Sequence, residues 1–374
     1  MAYRGGKTFG LLLAAVCVVT AAAAGATDVR TVTKELFAVP STAGNEDMLA
    51  AKIRELLPRT LAVEEAGLGA FAVRLAGAGG PTLLLAALDG YGHMVSGITP
   101  DGYLTLDRAV PPPHARFDAF LLGQPVVIST AKGPVRGVVS QPAIHLLTAE
   151  RRRTLVEGFS LETAYVDIGV RSEKDARAKG IELLDPVTYP ALLTELAAEQ
   201  WAGPSLGVKA AAAALAAAME GLAARAGGEE TIIAWAAQTK SAARGRGARP
   251  AIGAARARSR WRPQRTIVVD VIAAGKGDGF PFPGGGPVLV QYKSGPSDLR
   301  LALEAAAAGA GASLQFVTGP DTPLSLPFEV PPAEVVTLAL PVRFLNTPSE
   351  IVTLKDLDAL VGILRRFLQT GGAK

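Results

Sequence analysis

The stretch Leu83-Leu84-Leu85-Ala86-Ala87-Leu88-Asp89-Gly90-Tyr91-Gly92 carries more information than any other in the chain. Six apolar residues follow one another without alternation, as in a strand buried on both faces. Asp89 closes the run, and Gly90 and Gly92 break it into a turn. Working outward, Thr231 to Ala237 and Thr266 to Ile272 have the same continuous apolar character, and Leu61 to Glu65, Ala70 to Leu75 and Glu334 to Pro341 read as further strands. Helices are expected over Thr31 to Leu57 with a turn at Pro40 to Gly44, over Ser205 to Ala226 up to Gly227-Gly228, over Leu299 to Ala308, and over Leu354 to Leu368. Between Met94 and about Val187 short β-like runs alternate with turns, which suggests a small β-domain. Within it, Ser172 to Lys179 is a short helix with Ser172 as its N-cap. The economical organisation is one α/β domain, 27–94 and 188–374, interrupted by an inserted β-domain at 95–187.

The bulk numbers agree with that size. The chain has 374 residues, 49% of them apolar, enough for a sizeable core. Ala and Gly are abundant and aromatics few, so Ala, Val and Leu must build it. The net charge of +4 is mild and much of it sits in one Arg run, which does not suggest a nucleic-acid binder. Arg4 and Lys7 precede an apolar, Ala-rich stretch from Phe9 to Ala24, followed by small residues, so residues 1–26 read as a signal peptide of a secreted or periplasmic protein. An uncleaved anchor is the alternative, though the stretch is short for a span. Cleavage would leave no stable membrane span. The single cysteine, Cys17, lies in this segment, so a mature chain has no disulfide and no thiolate metal site.

Four motifs, in order, carry a resemblance. They are Leu36-Phe37-Ala38-Val39-Pro40-Ser41-Thr42-Ala43-Gly44-Asn45-Glu46, Gly133-Pro134-Val135-Arg136-Gly137-Val138-Val139 with Gln141 to His145, Tyr165-Val166-Asp167-Ile168-Gly169 with Ser172 to Ala176 and Gly180-Ile181, and Pro341-Val342-Arg343-Phe344-Leu345-Asn346-Thr347-Pro348-Ser349-Glu350. Together with the strand end at Ala86 to Gly92 they are similar to the tetrahedral and glutamyl aminopeptidases, dinuclear zinc or cobalt metallopeptidases. The resemblance implies an aminopeptidase-like α/β domain with a central mixed sheet, interrupted by a small β-barrel-like domain. It also implies self-association through the inserted domain, up to large shells.

Hydrolysis in that family uses two metals about 3.5–4 Å apart, which need His and carboxylate ligands. By the resemblance, the first His falls on Ala87 and its orienting Asp is Asp89. The bridging Asp falls on Gly203, the general-base Glu on Thr239, the next ligand Glu on Lys240, and the last His on Asn346. Only Asp270 keeps a ligand identity. A Lys at a metal position repels a cation. Lys240 either pairs with Asp270, and with Asp89 as a second partner, or points to solvent. No metal is expected, with zinc or cobalt as the cofactor if the family site persists.

Other candidates are weaker. The run Arg244 to Arg265 holds eight arginines, and its Arg246, Arg256, Arg258 and Arg260 are candidates for an anion-binding loop, the alternative being a solvated basic loop. His93 suits a surface or supporting role, and His114 and His145 structural ones. A Ser205, His93 and Asp89 triad lacks a nucleophile-elbow sequence. Gly275-Lys276-Gly277-Asp278-Gly279 lacks Walker A spacing. Three functions follow: a secreted, catalytically degenerate relative of these aminopeptidases acting in binding or assembly; an active metal-dependent aminopeptidase with an atypical site; or an anion-binding surface protein.

Overall fold

The computed structural model describes residues 28–150, 152–153, 158–220, 222, 229–241, 251–275, 277, 279–291, 297–318 and 334–371. The expected leader at 1–26, the anion-binding candidate Arg246, and Lys276 and Asp278 of the Gly-rich turn lie outside them. Two helices, Val29–Phe37 and Asp47–Leu56, lead into strands β1 (Val63–Gly67), β2 (Ala70–Leu75) and β3 (Ala78–Ala87). Six strands then form a closed barrel: β4 (His93–Ile98), β5 (Leu104–Arg108), β6 (Pro125–Thr130), β7 (Gly133–Ser140), β8 (Tyr165–Asp167) and β9 (Pro186–Thr188). The chain returns through β10 (Thr194–Leu196), β11 (Gln200–Gly203), β12 (Glu229–Ala236), β13 (Arg265–Ala273), β14 (Val288–Gln291), β15 (Gln315–Thr318), β16 (Glu334–Arg343) and β17 (Glu350–Thr353). Among the described residues no helix is long and apolar enough to cross a membrane.

The large sheet has 11 strands in the order β1-β2-β12-β3-β13-β16-β17-β11-β10, with β14 and β15 branching from β16. β3 lies between β12 and β13 and is parallel to both, and β13 is parallel to β16. That central position explains the apolar run: Leu83 to Leu88 are buried on both faces of the sheet, apart from a slight exposure at Ala87. Four parallel strands ending together bring Ala87, the segment after Ala236, Asp270 and the segment after Arg343 to one edge. The carboxyl edge of such a sheet is where α/β folds place their sites.

The helix Leu206–Ala217 is buried along its whole length between the sheet and its neighbours. Ala-rich sequence permits this, because a small side chain lets backbone approach backbone. Trp235 Nε1 donates to the carbonyl of Ala212 at 3.2 Å, tying helix to strand. The closing helix Leu354–Thr370 lays Leu357, Leu360, Leu364 and Phe367 on the same core and ends at Gly371, whose φ of 70° is the left-handed C-terminal turn that glycine favours. The barrel has a core of its own, from Val95, Leu104, Val126, Ile128, Val139 and Val166.

Two expectations are corrected. The Ala-rich helix stops at Ala217, not Ala226, because Met219, Glu220 and Leu222 donate to carbonyls three residues back and tighten the chain out of the α conformation. The Arg run is not a loop over its described length: Ile252–Trp261 is a helix. Its Gly253, Ala254, Ala257 and Trp261 recur at helical spacing and bury against the sheet, while the arginines occupy the other face. Gly253 is required there, since a Cβ would stand 1.7 Å from the carbonyl oxygen of Ala237.

Candidate functional site

The site at the sheet edge begins with Asp89, which is fully buried. Its Oδ1 accepts from the backbone N–H of Thr239 at 2.8 Å and from the Thr239 hydroxyl at 2.7 Å, and its Oδ2 accepts from the backbone N–H of Lys240 at 2.7 Å. Asp89 therefore clamps the short turn Thr239–Ser241. Behind it lies Glu46, which accepts from the N–H of Gly44 at 2.9 Å and of Gln238 at 2.7 Å. Burial and the adjacent charge of Asp89 push the Glu46 carboxyl up to about 7. The clamp holds Gln238 at φ 54°, a left-handed conformation unfavourable for a residue with a Cβ. Ser205, Phe344 and Asn346 also have positive φ, at 52°, 52° and 63°. Strained backbone thus gathers on the three segments that face this edge.

Lys240 sits among carboxylates. Burial opposes its charge, but Asp270, Asp89 and Glu350 outweigh that and hold the ammonium above its ordinary value. Its Nζ lies 5.9 Å from the centre of the Tyr91 ring. Glu350 accepts from the N–H of Gly207 and of Asn346, each at 2.8 Å, and burial pushes it up to about 7. A cavity of about 310 Å³ opens here, lined by Tyr91, Thr239, Lys240, Asp270, Phe280 and Asn346 among others.

Gly203, where the resemblance places the bridging carboxylate, is closed to a side chain. A Cβ on Gly203 would stand 2.6 Å from Cζ of Phe37 and 2.8 Å from its Cε2. Phe37 is buried on the helix Val29–Phe37, so its ring occupies the space a side chain at 203 would need. The donors at the edge are thus Asp270, Glu350 and an Asp89 whose two oxygens are already taken, facing an ammonium. Among the described residues no three His, Cys, Asp or Glu side chains are grouped to hold a metal ion. This set does not fit a two-metal centre.

The structure brings Asp89, Thr239, Lys240, Asp270 and Asn346 together, and the Ser205, His93 and Asp89 triad does not form. His93 is not on the surface: it is buried, its Nε2 bonds Asp118 Oδ1 at 2.9 Å, and its ring stacks on Phe117 at 5.3 Å. Arg108 completes this group through Asp118 Oδ2, and although burial opposes it, the pair of donors holds Asp118 at about 2. His145 is exposed, and His114 packs edge-on to Phe117 and Phe120. Of the arginines, Arg256 donates to the carbonyl of Ala66, and Arg260 lies near Glu64. Sequence reasoning passed over Glu46, Glu350 and the Phe37 plug. The two glutamates stood inside the quoted motifs, but nothing local marked them as buried; the plug had no local signal at all.

Comparison with known proteins agrees with this architecture. Residues 69–363 match the M42 glutamyl aminopeptidase family. FrvX of Escherichia coli (strain K12) is 25% identical over 355 residues, covering 90% of this chain and 94% of FrvX. Among solved structures, the Pyrococcus horikoshii TET1 peptidase superposes with a TM-score of 0.76 at 22% identity, covering 91% of this chain and 99% of the other. The aminopeptidase APDkam598 of Desulfurococcus kamchatkensis gives 0.74 at 19% identity, covering 91% and 94%. With the four motifs, the 11-stranded sheet and the inserted barrel, the match over most of its length means that this chain belongs to the M42 glutamyl aminopeptidase family.

Proposed function

We propose that this chain is a secreted or periplasmic, catalytically silent member of its family that acts in binding or assembly. One observation carries the reading: where the family binds metal, Lys240 places an ammonium among Asp270, Asp89 and Glu350. The side chain supplies the positive charge that would otherwise come from a cation. The Phe37 ring against Gly203 supports it, because a bridging carboxylate could not be restored there without displacing that ring. Metal-dependent peptide hydrolysis needs a polarising cation and an activated water, and the Thr239 hydroxyl, at the general-base position, donates a hydrogen bond to Asp89 rather than accepting a proton. Export rests on Arg4, Lys7 and the apolar stretch after them. Self-association rests on the relatives: the Pyrococcus horikoshii TET1 peptidase can assemble into a tetrahedron or a large octahedral shell.

The test is elemental mass spectrometry of the purified mature chain after incubation with zinc and with cobalt, alongside an aminopeptidase assay. Metal at background and no chelator-sensitive hydrolysis are expected. About two metals per chain would overturn the reading, since a dinuclear site would then exist.

A further inference from the structure

A second cavity, of about 320 Å³, lies between the sheet edge and the barrel. Neither Asp270 nor Lys240 lines it. Its walls are largely apolar, with Phe37, Met48, Tyr91, Phe117, Leu121 and Tyr189 facing inward. Lys209 enters from the helix Leu206–Ala217, on which every other residue is Ala, Leu, Val or Gly. The residue is 5% exposed.

The surroundings of Lys209 are unusual for an ammonium. Its Nζ donates to the carbonyl of Phe37 at 3.2 Å and to that of Val39. These carbonyls end the helix Val29–Phe37, where a cation is favoured. The lysine therefore has a structural task, but carbonyl dipoles do not neutralise a full charge. Among the described residues no carboxylate pairs with it, and burial alone pulls its value down to about 7. An ammonium has three donors, and two are placed. Ser205, just before this helix, lines the same cavity. The only other basic side chain in the lining is His93, already bonded to Asp118.

We infer that this cavity binds an amphipathic monocarboxylate, with its carboxylate on Lys209 and its apolar body against Phe117, Leu121 and Tyr189. One buried cation suits one negative charge, which disfavours di-anions such as phosphate. Apolar walls suit a chain or ring. An empty apolar cavity of about 150 Å³ accepts benzene, so this one has room for roughly ten to fifteen non-hydrogen atoms, the size of octanoate. Tyr91 lines both cavities, but Lys209, Phe117, Leu121 and Tyr189 do not line the 310 Å³ cavity, so the inference stands whether or not the chain hydrolyses peptides.

The experiment is calorimetric titration of the mature chain with octanoate, in the presence of chelator so that metal plays no part, with octanol as the uncharged control. One octanoate per chain is expected, with affinity at least about tenfold above octanol. Lys209→Met should remove that preference. Ser129→Phe, which fills the cavity from β6 and leaves Lys209 in place, should abolish binding of both and keeps the test open if the lysine variant fails to fold. Equal affinity for octanoate and octanol would overturn the assignment, as would octanoate binding unchanged in Ser129→Phe or no saturable octanoate binding at all.

Discussion

Replacing Lys240 with Met should destabilise the fold at pH 8 and less at pH 5. Lys240 is half-buried, and its ammonium acts electrostatically on Asp270, Asp89 and Glu350 without a close ion pair to any of them. Removing such a charge should cost an amount between the ~1 kcal/mol of an exposed pair and the ~3–5 kcal/mol of a fully buried one. At pH 8, above its value of about 7, Glu350 is ionised in the folded chain. At pH 5 Glu350, with its value at about 7, is already protonated in the folded chain and needs no partner. Losing the lysine raises its value further. The sign follows: a carboxyl whose folded value lies above its unfolded one loses stability as pH rises through that interval, and the whole cost is present above it. Urea denaturation at the two pH values measures this. Expected is a loss of about 1–3 kcal/mol at pH 8 that is smaller at pH 5. Lys240→Met combined with Asp270→Asn should lose less than Lys240→Met alone, because one stranded charge is gone. A loss below about 1 kcal/mol at pH 8, the range of an exposed ion pair, would refute the reasoning, and so would equal losses at both pH values.

Three further outcomes are expected. Glu46 and Glu350 are raised by burial from 4.5 to about 7, so they weaken the fold as pH rises from about 4.5 to 7; Lys209 is lowered by burial from 10.5 to about 7, so stability returns as pH rises from about 7 to 10.5. The melting temperature should therefore pass through a trough near pH 7, with Glu46→Gln raising it at pH 8; a curve without a minimum between pH 5 and 10 contradicts this. Gly253→Ala should cost roughly 2 kcal/mol or more in chemical denaturation, since the new Cβ meets the Ala237 carbonyl at 1.7 Å, whereas helix propensity alone predicts a gain of about 1 kcal/mol. Asp118→Asn should lower the thermal midpoint at pH 7 by an amount equivalent to about 2 kcal/mol, by weakening the charged bonds to His93 and Arg108; no change would show that this group does not stabilise the barrel.

Much of the architecture was legible in the sequence. Continuous apolar runs at Leu83 to Leu88, Thr231 to Ala237 and Thr266 to Ile272 became β3, β12 and β13, adjacent and parallel at the centre of the sheet. The change of texture after Gly92 became the barrel, and the four ordered motifs named the family before any coordinate did. These are local properties: the period of apolar residues and the placing of glycines are written along the chain. The Arg run misled because its charge density drew attention from the small residues at helical spacing beneath it, Gly253, Ala254 and Ala257.

What only tertiary structure decided was who faces whom. No reading of Gly203 shows that the ring of Phe37 fills its space, and no reading of Asp89 shows that both its oxygens are taken by Thr239 and Lys240, 150 and 151 residues away. Lys209 in an alanine helix hints at something unusual, but its carbonyl partners at Phe37 and Val39 lie 172 and 170 residues back. Residue identity tells which donors and charges a strand end can offer. Whether a charge has a counter-charge, and whether a space is open, depends on segments that meet only after folding, and the occupied space beside Gly203 is a fact of that second kind.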